Sequence, residues 1–148
     1  QPTVLTEFGI AAGLDWLLDW VGEQYHLKTN LSLEGIEFGK RLLPDVELAL
    51  FRMAQEASNN TIKHAKASKL DVRIKLQKKW ALLYVEDDGI GFDFLTLPTS
   101  NSRMGISGML KRAQQVGGDI KIDSAQDQGT KISVKIPRAA RGNQGSLF

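Results

Sequence analysis

From Ile10 to Val21, apolar residues recur at helical spacing: Ile10, Leu14, Leu17, Leu18 and Val21 share one face. The pattern predicts an amphipathic helix turned toward a core, with Trp16 and Trp20 on its other side. Leu31-Ser32-Leu33 reads as a short strand. Pro44-Asp45 opens a second helix carrying Val46, Leu50, Met53, Ala54, Ala57 and Ile62, expected to end near Lys66. Strict alternation then takes over. Leu70, Val72, Ile74 and Leu76 point one way and the basic residues between them the other. Gln77-Lys78-Lys79 turns the chain, and Trp80 to Val85 returns as a more fully apolar strand.

That strand runs into Glu86-Asp87-Asp88-Gly89-Ile90-Gly91-Phe92. Asp93 to Arg103 is polar and reads as a loop; Met104 to Val116 reads as a third helix, stopped by Gly117-Gly118. Two alternating strands follow, Asp119 to Ser124 and Thr130 to Ile136. Pro137 is expected to close the folded domain, residues 1–137, leaving 138–148 as a loose tail. The pattern is that of an α+β fold, with helices on one face of a mixed, mostly antiparallel sheet and solvent on the other.

Composition narrows the chemistry. The 148 residues, 42% of them hydrophobic, suffice for one domain with a real core. Nineteen basic against 17 acidic residues leave a net charge of +2, which demands neither a nucleic-acid nor a membrane partner. With no cysteine there is no disulfide, thiolate zinc site or thiol nucleophile. Two histidines, His26 and His64, exclude a multi-histidine metal site. The most apolar stretch is broken by Asp15 and Asp19, so no membrane span is expected. A chain that opens on Gln1 without a signal segment is expected to be an intracellular piece of something longer.

Three segments can carry chemistry. In Gln55 to His64, Glu56 and Asn60 are four apart and Lys63 three further on, so a carboxylate, an amide oxygen and a cation converge on one helix edge. Such a group can hold a metal–phosphate unit; it can equally be a solvated helix face. Asp87-Asp88-Gly89-Ile90-Gly91 follows an apolar strand, where glycines admit a flat ligand or positive φ and a carboxylate can accept from an exocyclic amine. An acidic turn has the same composition. Arg103 to Met109 puts Gly105, Ile106 and Gly108 at an expected helix start, where N–H groups suit phosphates; a plain helix start is the other reading. Neither a Walker loop nor a dinucleotide fingerprint is present.

In order and placement the three segments together resemble the nucleotide-binding domain shared by sensor histidine kinases, gyrase-type topoisomerases, heat-shock chaperones and mismatch-repair ATPases. Gln55-Glu56-Ala57 through Lys63-His64-Ala65 resembles the N box, Asp87 to Phe92 the first glycine box, Gly105 to Gly108 the second, and Gly129-Thr130 the pair before the last strand. The likeness is strongest to the histidine kinases of nitrate, lipid and cell-envelope sensing, and Pro2 to Trp16 resembles their lead-in from the phosphoacceptor helices.

The resemblance implies a two-layer, Bergerat-type ATP-binding sandwich that binds ATP with Mg²⁺. It implies Asn60 as the Mg²⁺ ligand, Lys63 near a phosphate, with His64 beside it or simply on the helix surface, and Asp87 on the adenine amine. Gly89 and Gly91 would pass close to the base, while Gly105, Ile106 and Gly108 would form a lid hinge that receives phosphates. Thr130 would support the adenine side, and Glu56 would act by positioning rather than as a base. The loop 93–103 would be ordered by nucleotide. The implied activity is phosphoryl transfer to a histidine on a separate helical phosphoacceptor and dimerisation domain, with a response regulator downstream. The implied setting is the cytoplasm, on a parent chain anchored in the inner membrane. Trp16 and Trp20 would dock that helical domain, or pack under another element of this one.

There are three departures from the pattern: Arg103 where a lid glycine is usual, Ser58-Asn59 for Leu-Thr, and Asp127 for a glycine. A serine kinase of the anti-sigma-factor type shares the nucleotide fold, and a non-catalytic nucleotide- or nucleic-acid-binding module is a further alternative. The basic residues from Lys63 to Lys79 lack exposed aromatic interleaving and read as a solvated face, without nucleic acid. His26 reads as a surface residue.

Overall fold

The computed structural model describes residues 2–91 and 100–139, without the side chains of 64, 65 and 100–105. Its order is α1 (Thr3–Phe8), α2 (Ile10–Tyr25), β1 (Lys28–Glu34), α3 (Pro44–Asn60), a π turn (Thr61–Ala65), β2 (Lys69–Leu76), β3 (Trp80–Asp87), α4 (Ser100–Gln115), β4 (Asp119–Ser124) and β5 (Thr130–Pro137). The five strands form one sheet in the order β1-β2-β3-β5-β4. Among the described strands, only β1 and β2 pair in parallel. The expected α+β architecture is therefore observed, with the helices covering one face.

Both periodicities deliver their core. Ile10, Leu14, Leu17, Leu18 and Val21 of α2 are buried, as are Val46, Leu50, Met53, Ala54 and Ala57 of α3. They meet the inward series Leu70, Val72 and Ile74 of β2, Ala81, Leu83 and Val85 of β3, and Ile132, Val134 and Ile136 of β5. Two elements escaped the pattern. Helix α1 is only 6 residues long, too short to show a period, and Gly9 at φ +93° separates it from α2. Strand β1 exceeds its three-residue core because its polar ends extend the parallel ladder to Lys69 and Lys75. Helix α2 continues to Tyr25 and stops at His26, a left-handed residue that is exposed as expected. Among the described residues, no helix is long and apolar enough to cross a membrane.

The end of α3 and the start of α4 also differ from the sequence reading. The α-helix expected to reach Lys66 ends at Asn60 and continues as a π turn. Ser58 Oγ donates to the Ala54 carbonyl four residues back, the kind of contact that bends a helix. Helix α4 begins at Ser100 rather than Met104, because the small polar residues Ser100 to Ser102 suit helix entry. At the other end, Arg138 still donates from its backbone N–H to Lys79 O and from Nη1 to Gln77 O.

As expected, the aromatic rings on the basic face are half-buried rather than exposed. On β3 the residues alternating with the core are Trp80, Leu82 and Tyr84, so aromatic rings do interleave with the cations, but across strands. The Arg73 guanidinium lies 4.5 Å from the Tyr84 ring, Lys131 Nζ 5.4 Å from it, and Lys135 Nζ 4.1 Å from Trp80. The cations cover the rings. Trp16 and Trp20 are each 44% exposed, so neither packs fully beneath another described element. Trp20 meets Tyr25 edge to face, with centroids 5.8 Å apart.

The N-terminal helix is held by one buried charge. Glu47, in the first turn of α3, is 3% exposed and accepts from Arg41 Nη2 at 2.9 Å, Arg41 Nε at 3.2 Å and the Leu42 N–H at 3.2 Å. The same guanidinium donates to the Thr6 and Glu7 carbonyls in the last turn of α1. Arg41→Met strands Glu47 in the interior and is expected to cost about 2 kcal/mol, read from urea unfolding. A loss below about 0.5 kcal/mol, the range of an ordinary surface change, would mean that this fork contributes little.

Candidate functional site

The inward series of β3 ends on a carboxylate. Asp87 continues Ala81, Leu83 and Val85 and is only 9% exposed. Its Oδ2 accepts from Thr61 Oγ1 at 2.8 Å and its Oδ1 from the Gly89 N–H at 2.9 Å. Thr61 Oγ1 also lies 3.3 Å from the Ala57 carbonyl. A hydroxyl has one proton, and the shorter, charge-assisted bond takes it.

Around Asp87 lies a small cavity of about 20 Å³. Asn60, Thr61, Asp87 and Thr130 supply its polar rim; Ala57, Val85, Ile106 and Ile132 supply apolar walls. This mixture suits the edge of a flat heteroaromatic ring. Asn60 arrives as the last residue of α3, and Thr130 as the residue opposite Asp87 in the β3–β5 register. Ser124 Oγ, 2.8 Å from Thr130 Oγ1, fixes that hydroxyl. Of the expected residues, Asn60, Asp87, Ile106 and Thr130 thus share one cavity. Glu56 is half-buried one turn earlier, and Lys63 is exposed on the π turn. His64 lies in the same turn, its side chain outside the described residues.

The glycines play different parts. A Cβ at Gly91, φ +64°, would fall 2.1 Å from Ala125 O; one at Gly129, φ +73°, would fall 2.2 Å from Asp87 O. The crowding therefore comes from the chain's own backbone, where the first glycine box crosses the β4–β5 turn. Asp127, the third departure, sits at φ +62°, a conformation that aspartate tolerates better than most residues. Gly105 and Gly108 do not stand at a helix start. With α4 beginning at Ser100, their N–H groups fall within the helical ladder rather than among its free first four. A Cβ at Gly108 would meet nothing within 4 Å. The expected loop 93–103 lies outside the described residues as far as 99, and 100–103 belong to α4.

Sequence reasoning passed over Thr61, although the signal was there: it continues the stripe Leu50, Ala54, Ala57 as a hydroxyl where an apolar residue belongs. It also left Asp88 without a task. Strand alternation turns Asp88 away from the cavity, where it accepts from Ser68 Oγ, the Ser68 N–H at 2.8 Å and the Lys69 N–H at 3.0 Å. The Ser68 hydroxyl first, then the Lys69 N–H, holds its carboxyl down at about 2. Among the described residues no three histidines, aspartates or glutamates converge on a metal position. An amide oxygen with one carboxylate a turn away fits Mg²⁺, which takes most of its ligands from phosphates and water.

Residues 45–140 match the family described as histidine kinase-, DNA gyrase B-, and HSP90-like ATPase. The chain is 33% identical over 140 residues to the signal transduction histidine-protein kinase/phosphatase DegS of Bacillus subtilis, covering 93% of this chain and 36% of that protein. To an uncharacterized sensor-like histidine kinase of Chloroflexus aurantiacus it is 38% identical, covering 93% of this chain and 24% of that one. It thus spans about a third or less of these relatives' lengths. Among solved structures, the histidine kinase domain of the Erythrobacter litoralis EL346 blue-light activated kinase superposes with a TM-score of 0.66 at 17% identity, covering 87% of this chain and 60% of that one. The mycobacterial sensor histidine kinase MprB gives 0.63 at 18%, covering 89% and 95%. At these identities the structures speak for the fold.

Asp88 makes stability depend on pH. Its folded value is depressed, so its contribution is complete above about pH 4 and fades as pH falls toward 2. The group is exposed and screened, which limits the contribution to about 1 kcal/mol or less. Asp88→Asn is expected to be less stable than wild type at pH 7, with the gap closing below about pH 4. Urea unfolding across that range is the measurement; a gap independent of pH would show that the carboxylate's charge is immaterial. Gly129→Ala is expected to cost at least about 2 kcal/mol in the same assay, from a left-handed backbone and a blocked strand crossing.

Proposed function

Because the chain belongs to the family of histidine kinase-, DNA gyrase B- and HSP90-like ATPases, we propose that it is the ATP-binding catalytic domain of a sensor histidine kinase. Its task is to bind Mg-ATP and present the γ-phosphate to a histidine on a separate helical phosphoacceptor domain. The parent chain then passes the phosphoryl group to a response regulator. This reading puts the domain in the cytoplasm, on a parent anchored in the inner membrane. The observation that supports it best is the buried, acceptor-only Asp87 sharing one apolar-walled cavity with Asn60 and Thr130.

In this reading Asp87 accepts from the adenine amine, Ile106 and Val85 flank the ring, and Thr130 supports the base side. Asn60, one residue from the cavity's hydroxyl, offers its amide oxygen to Mg²⁺, and exposed Lys63 reaches the phosphates, with His64 beside it. Bound Mg²⁺ supplies neutralisation of the charge that develops between the β- and γ-phosphates. Glu56 positions the N box. For Gly105 and Gly108 to offer N–H groups to phosphates, the first turns of α4 must open, and each glycine lowers that cost by about 1 kcal/mol relative to alanine. Phosphoryl transfer consists mostly of positioning and charge stabilisation, so a domain can catalyse it without carrying the nucleophile.

A bond to a charged acceptor contributes about 1.5–3 kcal/mol, so Asp87→Asn should weaken ATP about 10- to 100-fold in a calorimetric titration. GTP, with a carbonyl at that position, should bind poorly; equal affinity for ATP and GTP would overturn the adenine assignment. The chain alone should bind Mg-ATP without labelling itself on histidine, yet phosphorylate a separately supplied phosphoacceptor helix pair from its parent. Asn60→Asp should abolish that transfer. The assay is labelled ATP followed by an acid-lability test, and acid-labile labelling of the chain itself, lost on mutating His26 or His64, would refute the separate-acceptor scheme.

A further inference from the structure

Asp87 is not the last determinant of the cavity, because a carboxylate must itself be aimed. The terminal torsion of aspartate is broad, so one hydrogen bond leaves the plane of the group free to swing. Among the described residues, the Gly89 N–H is the one donor to Oδ1. The second fixed point is Thr61, 4% exposed, whose hydroxyl donates to Oδ2. A β-branched side chain has few χ1 choices, so this donor is stiff.

We infer that Thr61 is a positioning residue for base selection, its hydroxyl fixing Asp87 as an acceptor-only group that takes a purine amine and refuses a purine carbonyl. The inference rests on reading Asp87 as the base contact. Both donors are complementary to the ionised carboxylate, and each of its oxygens keeps a further lone pair for the cavity. A site built to accept from an N–H discriminates strongly, because the wrong base sets acceptor against acceptor. A water is a poor substitute for the hydroxyl. The cavity's space of about 20 Å³ has room for roughly one water, and that is the space a base edge enters. Thr61 belongs to the π turn that follows Asn60, so the same backbone step places the proposed metal ligand and aims the base contact.

The test compares ATP with inosine triphosphate, which carries the same phosphates and a carbonyl in place of the adenine amine, by calorimetry on the whole chain. Thr61→Val keeps the shape and removes the donor; Thr61→Ser keeps the donor and removes a methyl. Wild type should prefer ATP. Thr61→Val should narrow the ratio of affinities by about tenfold, chiefly through ATP, and Thr61→Ser should retain it. On an Asp87→Asn background, Thr61→Val should leave the ratio unchanged, the mark of two residues acting as one. Far-UV circular dichroism checks folding, and Thr61→Ala replaces Thr61→Val should the valine not be accommodated. Wild type binding both nucleotides equally would overturn the reading of Asp87 and this inference with it. Wild type selective for ATP, with the hydroxyl-free variant equally selective or with both nucleotides weakened alike, would overturn the role of Thr61 alone.

Discussion

Adjacent carboxylates at the end of β3 face opposite ways, and together they grip both ends of the π turn that joins the helix layer to the sheet. Asp87 takes the hydroxyl of Thr61 at the turn's entry; Asp88 takes Ser68 and Lys69 just past its exit. A π turn is a rare local geometry that needs outside support. Here the support is charge-assisted and comes from a strand whose position is set by the core. Every residue after Asn60 on that turn, Lys63 included, inherits its direction from this arrangement.

The opposite wall of the cavity depends on a pairing between strands far apart in sequence. β5 lies beside β3, which puts Thr130 across from Asp87. The segment that follows β3 then crosses the turn that leads into β5 with almost no clearance, and Gly91 and Gly129 permit it. The glycine requirement in this part of the chain is thus settled before any ligand is considered. Backbone is packed on backbone, which leaves the carboxylate little freedom to withdraw.

Away from the cavity, charge is used to cover surfaces. Arg41 closes the end of α1 while neutralising buried Glu47, so one guanidinium serves two helices. On the outer sheet face, Arg73, Lys131 and Lys135 lie over Tyr84 and Trp80. Rings shielded in this way are poor stacking platforms for bases, although cations and aromatics alternate across the strands.

Much of this was legible along the chain, because the two periods of 3.6 and 2 residues act locally. They identified the core stripes of α2 and α3 and the two hairpins. The boxes around Asn60, Asp87 and Gly129-Thr130 carried the family resemblance with no knowledge of their geometry. Periodicity failed where too few residues repeat, as in α1, and where small polar residues fit either helix or loop, as at Ser100 to Ser102. Two things belong to the tertiary structure alone: the β3–β5 adjacency and the division of labour between Asp87 and Asp88. Each is decided by contacts between residues 20 or more positions apart, such as Ser68 with Asp88 and Thr61 with Asp87. A local pattern shows which way a side chain points; only the packed fold shows what it meets there.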